Sequence, residues 1–177
     1  MTDGPRRVGR AAARLGVLGL LALGAAACGS DASGGEGSGS ATLVTFAAAD
    51  GGTTSIESMK GTPVVVNMWA TWCKPCVKEM PAFDEVAASE AGVRIVGVNV
   101  ADSAADATKF AESLGVSYEQ FNDPTGALSD AFGVTGLPAT AFVDADGKVV
   151  EVHSGALTAD ELRDRIAADF PDLKAAP

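Results

Sequence analysis

The chain has 177 residues, enough for one domain and an appended segment. A formal charge of −10 argues against nucleic acid as a partner, and 47% hydrophobic residues supply a core. Beyond residue 27 the imbalance grows, with nine basic residues facing 22 acidic ones.

The elements begin with a targeting signal. Arg6, Arg7, Arg10 and Arg14 precede an apolar run from Leu15 to Ala27. That run suits the core of a signal peptide over residues 1–27 and is short for a membrane span. It ends at Cys28, followed by Gly29 and Ser30. Small residues before a lone cysteine resemble the lipobox of bacterial lipoproteins. The resemblance implies cleavage and lipidation at Cys28, anchoring the protein to the outer face of the cell membrane. Ala25 departs from the leucine usual at that position, and Ala25-Ala26-Ala27 also fits an ordinary secretory cleavage site. Residues 28–40, mostly Gly, Ser, Ala and acids, read as a flexible tether that cannot bury enough apolar surface to fold. Residues 41–177 are the expected domain.

Within that domain, Thr42–Phe46 and Thr54–Ile56 suggest a short hairpin across Asp50-Gly51-Gly52. Val64–Met68, bounded by Gly61 and Pro63, is an apolar run interrupted only by Asn67, the mark of a strand buried on both faces. Cys73 to Ser89 has helical spacing, with Val77, Met80, Phe83, Val86 and Ala87 on one face and Pro81 expected to bend it. Val93–Val100 is a second buried strand, so strand, helix and strand form a parallel crossover. Asp102–Leu114 reads as a helix ended by Gly115, Tyr118–Phe121 as a short strand, and Gly126–Phe132 as a short helix. Ala139–Val143 and Lys148–Val152 face each other across Asp144–Gly147, with Asp146-Gly147 as the turn signal. Thr158–Phe170 closes the chain as a helix, with Thr158 and Glu161 spaced as a capping box.

Trp72-Cys73-Lys74-Pro75-Cys76 lies between a buried strand and a helix. Unpaired N–H groups and the positive end of the dipole stabilise a thiolate at a helix N-terminus. Lowering a thiol from about 8.5 to about 7 corresponds to roughly 2 kcal/mol. Lys74 adds positive charge, and Pro75 suits a first turn that needs no amide hydrogen. Both are candidates for redox tuning. Cys76 sits one turn on and deeper, so Cys73 is the candidate attacking thiol and Cys76 the resolving one. A structural Cys73–Cys76 disulfide would close too short a loop to stabilise the fold much. Two cysteines alone do not complete a zinc site, and His153, the only histidine, also fits an ordinary strand residue. No resident metal or cofactor is expected.

Val64-Val-Val-Asn-Met-Trp-Ala-Thr-Trp-Cys-Lys-Pro-Cys76 resembles the active-site strand and turn of thioredoxin-like proteins. Val77-Lys78-Glu79-Met80-Pro81, with Gly133-Val-Thr-Gly-Leu-Pro138-Ala-Thr140 and Phe142-Val-Asp144, narrows the resemblance to the TlpA/ResA-like group. The similarity runs from about Phe46 to about Phe170. It implies an α/β thioredoxin-like fold: a central mixed sheet flanked by helices, with a TlpA/ResA-type strand–helix insertion near Asp102–Asp123. It also implies a redox-active Cys73–Cys76 disulfide. Pro138 matches the cis-proline facing the pair, where Leu137 backbone groups can meet an extended substrate; by sequence alone it also fits a turn proline. Glu79 matches a glutamate near the cysteines, although helix spacing alone fits a solvated acid. Asn67 stands where cytoplasmic-type thioredoxins carry a buried acid. Trp72 is expected over the active-site surface and Trp69 beneath it.

The expected activity is thiol–disulfide exchange with protein thiol or disulfide substrates by a monomer, linked to a membrane redox partner. Either a cytochrome c maturation-type reductant or an oxidative-folding catalyst fits. A peroxiredoxin-type peroxidase does not fit, because Val66 occupies the position seven before Cys73 where its P-x-x-x-T-x-x-C signature needs proline. A copper-binding metallochaperone using the two thiols, and a binding lipoprotein with an idle CxxC, remain as alternatives.

Overall fold

The computed structural model describes residues 41–48 and 51–175. The expected signal peptide, Cys28 and the tether to residue 40 lie outside them, as does Asp50 of the first expected turn.

Seven strands make one mixed sheet: β1 (Thr45–Ala48), β2 (Thr53–Ser55), β3 (Val64–Trp69), β4 (Arg94–Val100), β5 (Glu119–Asp123), β6 (Ala139–Val143) and β7 (Val149–Ser154). Their order is β2-β1-β5-β4-β3-β6-β7. The parallel strands β3, β4 and β5 form the middle, and antiparallel pairs complete both sides. β3 is buried along its whole length. Its alternate residues enter different cores: Val65 and Trp69 on one face, Val64, Val66 and Met68 on the other.

Four α-helices flank the sheet: α1 (Lys74–Ser89), α2 (Ala104–Leu114), α3 (Ala127–Ala131) and α4 (Ala159–Asp169). Residues of α1, α2 and α4 share the core of Val65 and Trp69, while Leu128 of α3 joins the opposite one. α2 and β5 form the expected insertion, which places β5 between β1 and β4.

Several boundaries differ from the expected ones. The first hairpin is shifted, with Thr45 opposite Ser55. Ile56 leaves the strand because Ser55 caps a 3-10 turn over Ile56–Met59, exchanging hydrogen bonds with Ser58. α1 continues through Pro81, whose ring lies on the exposed side, and its buried face is Cys76, Glu79, Met80, Phe83 and Val86. Val77 and Ala87, expected on that face, are only half-buried. β7 extends to Ser154 and includes His153. The capping box of α4 forms as spaced, with Thr158 and Glu161 satisfying each other's backbone N–H groups.

Candidate active site

β3 delivers the chain to the C-terminal end of the parallel strands and α1 takes it back, so residues 70–73 make a tight turn. The Cys73 N–H donates to the Ala70 carbonyl at 3.1 Å. Cys73 is then the N-cap of α1, its sulfur accepting from the Cys76 N–H at 3.3 Å. A polar N-cap side chain satisfies a helix N–H that has no partner in its own helix. The two cysteines are disulfide-bonded, with Cα atoms 5.3 Å apart. Cys76 is fully enclosed, and a small part of Cys73 reaches the surface. Lys74 and Pro75 occupy the first turn and are exposed. Trp72, next to the outer sulfur, is 64% exposed. Trp69 is buried, its indole N–H donating to Gln120 Oε1 at 2.9 Å, with Phe110 stacked on it at 6.2 Å. Gly97 makes room for this arrangement, because a Cβ there would collide with the Gln120 side chain.

Glu79 lies three residues beyond Cys76 on the buried face of α1. It is 3% exposed, so the solvated acid allowed by helix spacing is excluded. Its Oε1 accepts from Asn67 Nδ2 at 2.8 Å and its Oε2 from the Leu157 N–H at 2.9 Å. Asn67 Oδ1 accepts in turn from the Tyr118 hydroxyl at 2.9 Å. Burial raises the Glu79 carboxyl from 4.5 to about 7, against the lowering effect of the bonds from Leu157 and Asn67. Near neutral pH this group therefore exists in both protonation states, deep beside the inner cysteine. Burial also pushes the Tyr118 phenol up, so it stays a neutral donor.

The Leu137–Pro138 peptide is cis. Pro138 is buried and its carbonyl accepts from the Gly155 N–H at 2.9 Å. Leu137 is half-buried and packs against the core that contains both cysteines. His153 lies opposite Thr140 in the β6–β7 pair. Burial and Arg165 lower its basicity.

One part of the site is missed by the sequence reading. Asp102 was expected only as the start of a helix. Its carboxylate accepts from the Thr71 N–H at 2.7 Å, the Thr71 hydroxyl at 3.0 Å and Asn99 Nδ2 at 2.9 Å. Asn122 braces the group by donating to Asn99 Oδ1 at 3.1 Å. Thus the loop after β4 clamps the turn that carries Cys73. Ala101 takes a left-handed φ of 65° just before Asp102, and among the described residues it is the only non-glycine to do so. Leu157 and Tyr118 are missed as well. Leu157 contributes only its backbone, which no residue pattern reveals.

The comparisons agree with this geometry. A profile of the redoxin family matches residues 37–169. The chain belongs to the redoxin family. It is 33% identical over 118 residues to the thiol-disulfide oxidoreductase ResA of Geobacillus thermodenitrificans, covering 66% of this chain and 68% of that one. ResA of Bacillus subtilis is 37% identical over 111 residues, 62% of each chain. Among solved structures, MTB dsbF is 36% identical with a TM-score of 0.68, covering 73% of this chain and 97% of the other. The exposed lipoprotein thioredoxin of Streptococcus pneumoniae is 27% identical with a TM-score of 0.61, covering 75% and 98%. The chain is therefore a TlpA/ResA-like member of the thioredoxin-fold redoxins, with the fold that the motifs implied.

Proposed function

We propose that this protein thiol–disulfide oxidoreductase works outside the cytoplasm, tethered by a lipid on Cys28, with Cys73 attacking and Cys76 resolving. The carrying observation is the Cys73–Cys76 disulfide at the N-terminus of α1, its inner sulfur enclosed beside a carboxyl raised to about 7. In the reducing direction, the Cys73 thiolate bonds to one sulfur of a substrate disulfide, and the other substrate sulfur leaves as thiolate. Glu79 takes the Cys76 proton. The Cys76 thiolate then bonds to Cys73, and the remaining substrate sulfur leaves. Two electrons pass from the pair to the substrate, and the oxidising direction is the reverse.

Trp72, Leu137 and Pro138 are the proposed substrate contacts, and Lys74 and Pro75 the residues that tune the pair. The apolar run ending at Cys28 supports the tether, as does the likeness to a lipoprotein thioredoxin. Residues 28–40 give the anchored domain at 41–177 its reach to protein substrates and to a membrane redox partner. Related pairs span about −270 to about −120 mV, a range worth roughly 7 kcal/mol for two electrons. The redox equilibrium of Cys73–Cys76 against glutathione therefore assigns the direction: a low potential means a reductant, such as one serving cytochrome c maturation, and a high one an oxidative-folding catalyst. Failure of the pair to equilibrate with glutathione would refute the exchange reading. Intact mass of the membrane fraction tests the tether, with a diacylated Cys28 as the mature N-terminus expected and an unmodified residue 28 against it.

A further inference from the structure

Glu79 is buried, so a proton that it takes from Cys76 must still reach solvent. Asn67 sends its two amide atoms to opposite sides. Its Oδ1 accepts from Tyr118, which precedes β5, and its Nδ2 donates to Glu79. The second Glu79 oxygen accepts from the Leu157 N–H, just past β7. With the strand order β5-β4-β3-β6-β7, the carboxyl lies on the β6 side of Asn67. The β6 residue directly opposite Asn67 is Thr140, and the β7 residue opposite Thr140 is His153. Residues opposite each other in antiparallel strands share a face, with Cβ atoms about 5 Å apart. Asn67, Thr140 and His153 thus form one row across three strands, on the face that carries Glu79.

Thr140 is wholly buried, and its hydroxyl oxygen is one of two enclosed side-chain atoms among the described residues with no hydrogen-bond partner. An unpaired hydroxyl in a core is costly and calls for a reason. A hydroxyl can accept on one side while it donates on the other. His153 ends the row half-buried, its Nε2 3.7 Å from where a Cβ on Gly155 would stand, two residues before Leu157. Burial and Arg165 lower its basicity against the pull of Glu151 and Glu161. Near neutral pH it therefore carries one N–H and one bare ring nitrogen. The titratable groups near Glu79 are Cys76, on the same face of α1, and the neutral Tyr118 phenol behind Asn67.

We infer that Thr140 and His153 carry protons between Glu79 and solvent during exchange. The inference rests on the exchange reading above, and both residues act through Glu79. In the reducing direction Glu79 passes the Cys76 proton to the Thr140 oxygen. The hydroxyl hydrogen of Thr140 moves to the bare nitrogen of His153, whose other N–H gives its proton to water. One proton leaves for each mixed disulfide resolved, no electrons move along the row, and the oxidising direction runs it backwards.

The test follows one turnover of the reduced full-length protein with an equimolar amount of dithiobis(nitrobenzoate). The first coloured thiolate released reports attack by Cys73, and the second reports resolution by Cys76. At about pH 6 Glu79 enters resolution protonated and must first pass that proton outward, whereas at about pH 8 it enters ionised. Thr140→Val keeps the shape and removes a hydroxyl without a partner, so its urea midpoint should equal or exceed the wild type's. Its resolution relative to attack should slow about tenfold at the lower pH and little at the higher, less than the roughly 10²-fold of a direct acid–base group. Thr140→Ser should restore the rate. His153→Ala should slow resolution in the same way, and added imidazole should recover it without recovering Thr140→Val, where the lost group is enclosed. Wild-type resolution at the lower pH in Thr140→Val and His153→Ala, or a slowing that neither serine nor imidazole reverses, overturns the relay alone. No coloured release from the wild type overturns the exchange reading and the relay with it.

Discussion

Replacing Glu79 by Gln removes a buried carboxyl, three residues from Cys76 on the buried face of α1, that can carry a proton near neutral pH. Burial holds its carboxyl at about 7 rather than 4.5. At about 1.4 kcal/mol for each of those pH units, ionising Glu79 in the folded protein costs about 3 kcal/mol more than in the unfolded chain. The sign follows from proton binding. Between pH 4.5 and about 7 the folded state holds the proton and the unfolded state has released it. This contribution to stability is therefore complete below pH 4.5, is lost as pH rises through about 7, and changes no further above. Gln can fill the same space. Its oxygen can accept from the Leu157 N–H, and its NH2 can donate to Asn67 if that amide turns over, leaving the Asn67 NH2 to donate to the Tyr118 oxygen. Two outcomes are expected. Urea unfolding of the oxidised wild type should show stability falling between about pH 4 and about pH 8, and Glu79→Gln should lack about 3 kcal/mol of that fall. Resolution of a mixed disulfide on Cys73, followed in a single turnover, should rise with pH through an inflection near 7 in the wild type. In the variant it should be slower by about 10²-fold, the usual contribution of a positioned acid–base group, with the inflection gone. The same inflection and the same unfolding slope in Glu79→Gln would refute the reasoning.

The clamp on the active-site turn gives further expectations. Asp102→Ala strands two donors of Thr71 and one of Asn99, and should cost about 2 kcal/mol in urea unfolding. Thr71→Val removes only the hydroxyl bond and should cost about 1 kcal/mol, with a double-mutant cycle showing the two changes to be coupled. Ala101→Gly relieves a left-handed backbone and should raise stability by about 1 kcal/mol, read as a higher urea midpoint at unchanged slope. Tyr118→Phe leaves Asn67 Oδ1 unpaired in the core and should cost about 1–3 kcal/mol by the same assay.

Much of the fold was legible because its signals are local. The apolar run at Val64–Met68, interrupted only by Asn67, marked a central strand, and Asp146-Gly147 between apolar stretches marked a hairpin. Thr158 and Glu161 marked a helix start. The boundaries that moved did so for tertiary reasons. Ile56 looked like strand until Ser55 and Ser58 closed a capped turn around it, and β5 slides to Glu119–Asp123 to pair with both β4 and β1. In the site, Cys73 and Cys76 were legible because a short spacing and a strand–helix junction carry their chemistry. Glu79 was not legible from spacing. Its burial depends on β3, Leu157 and Tyr118, which lie 12, 78 and 39 residues away in the chain from it. Asp102 was hidden for a similar reason. Its partner Thr71 is 31 residues earlier, and an aspartate before a helix has an adequate local explanation as part of its first turn.

The most direct measurement compares two single-cysteine variants incubated with extracytoplasmic protein extract. Cys76→Ser should accumulate mixed disulfides through Cys73 that dissolve on adding dithiothreitol, and Cys73→Ser should accumulate none. Adducts on Cys73→Ser, or none on either variant, would contradict the assignment of Cys73 as the attacking thiol.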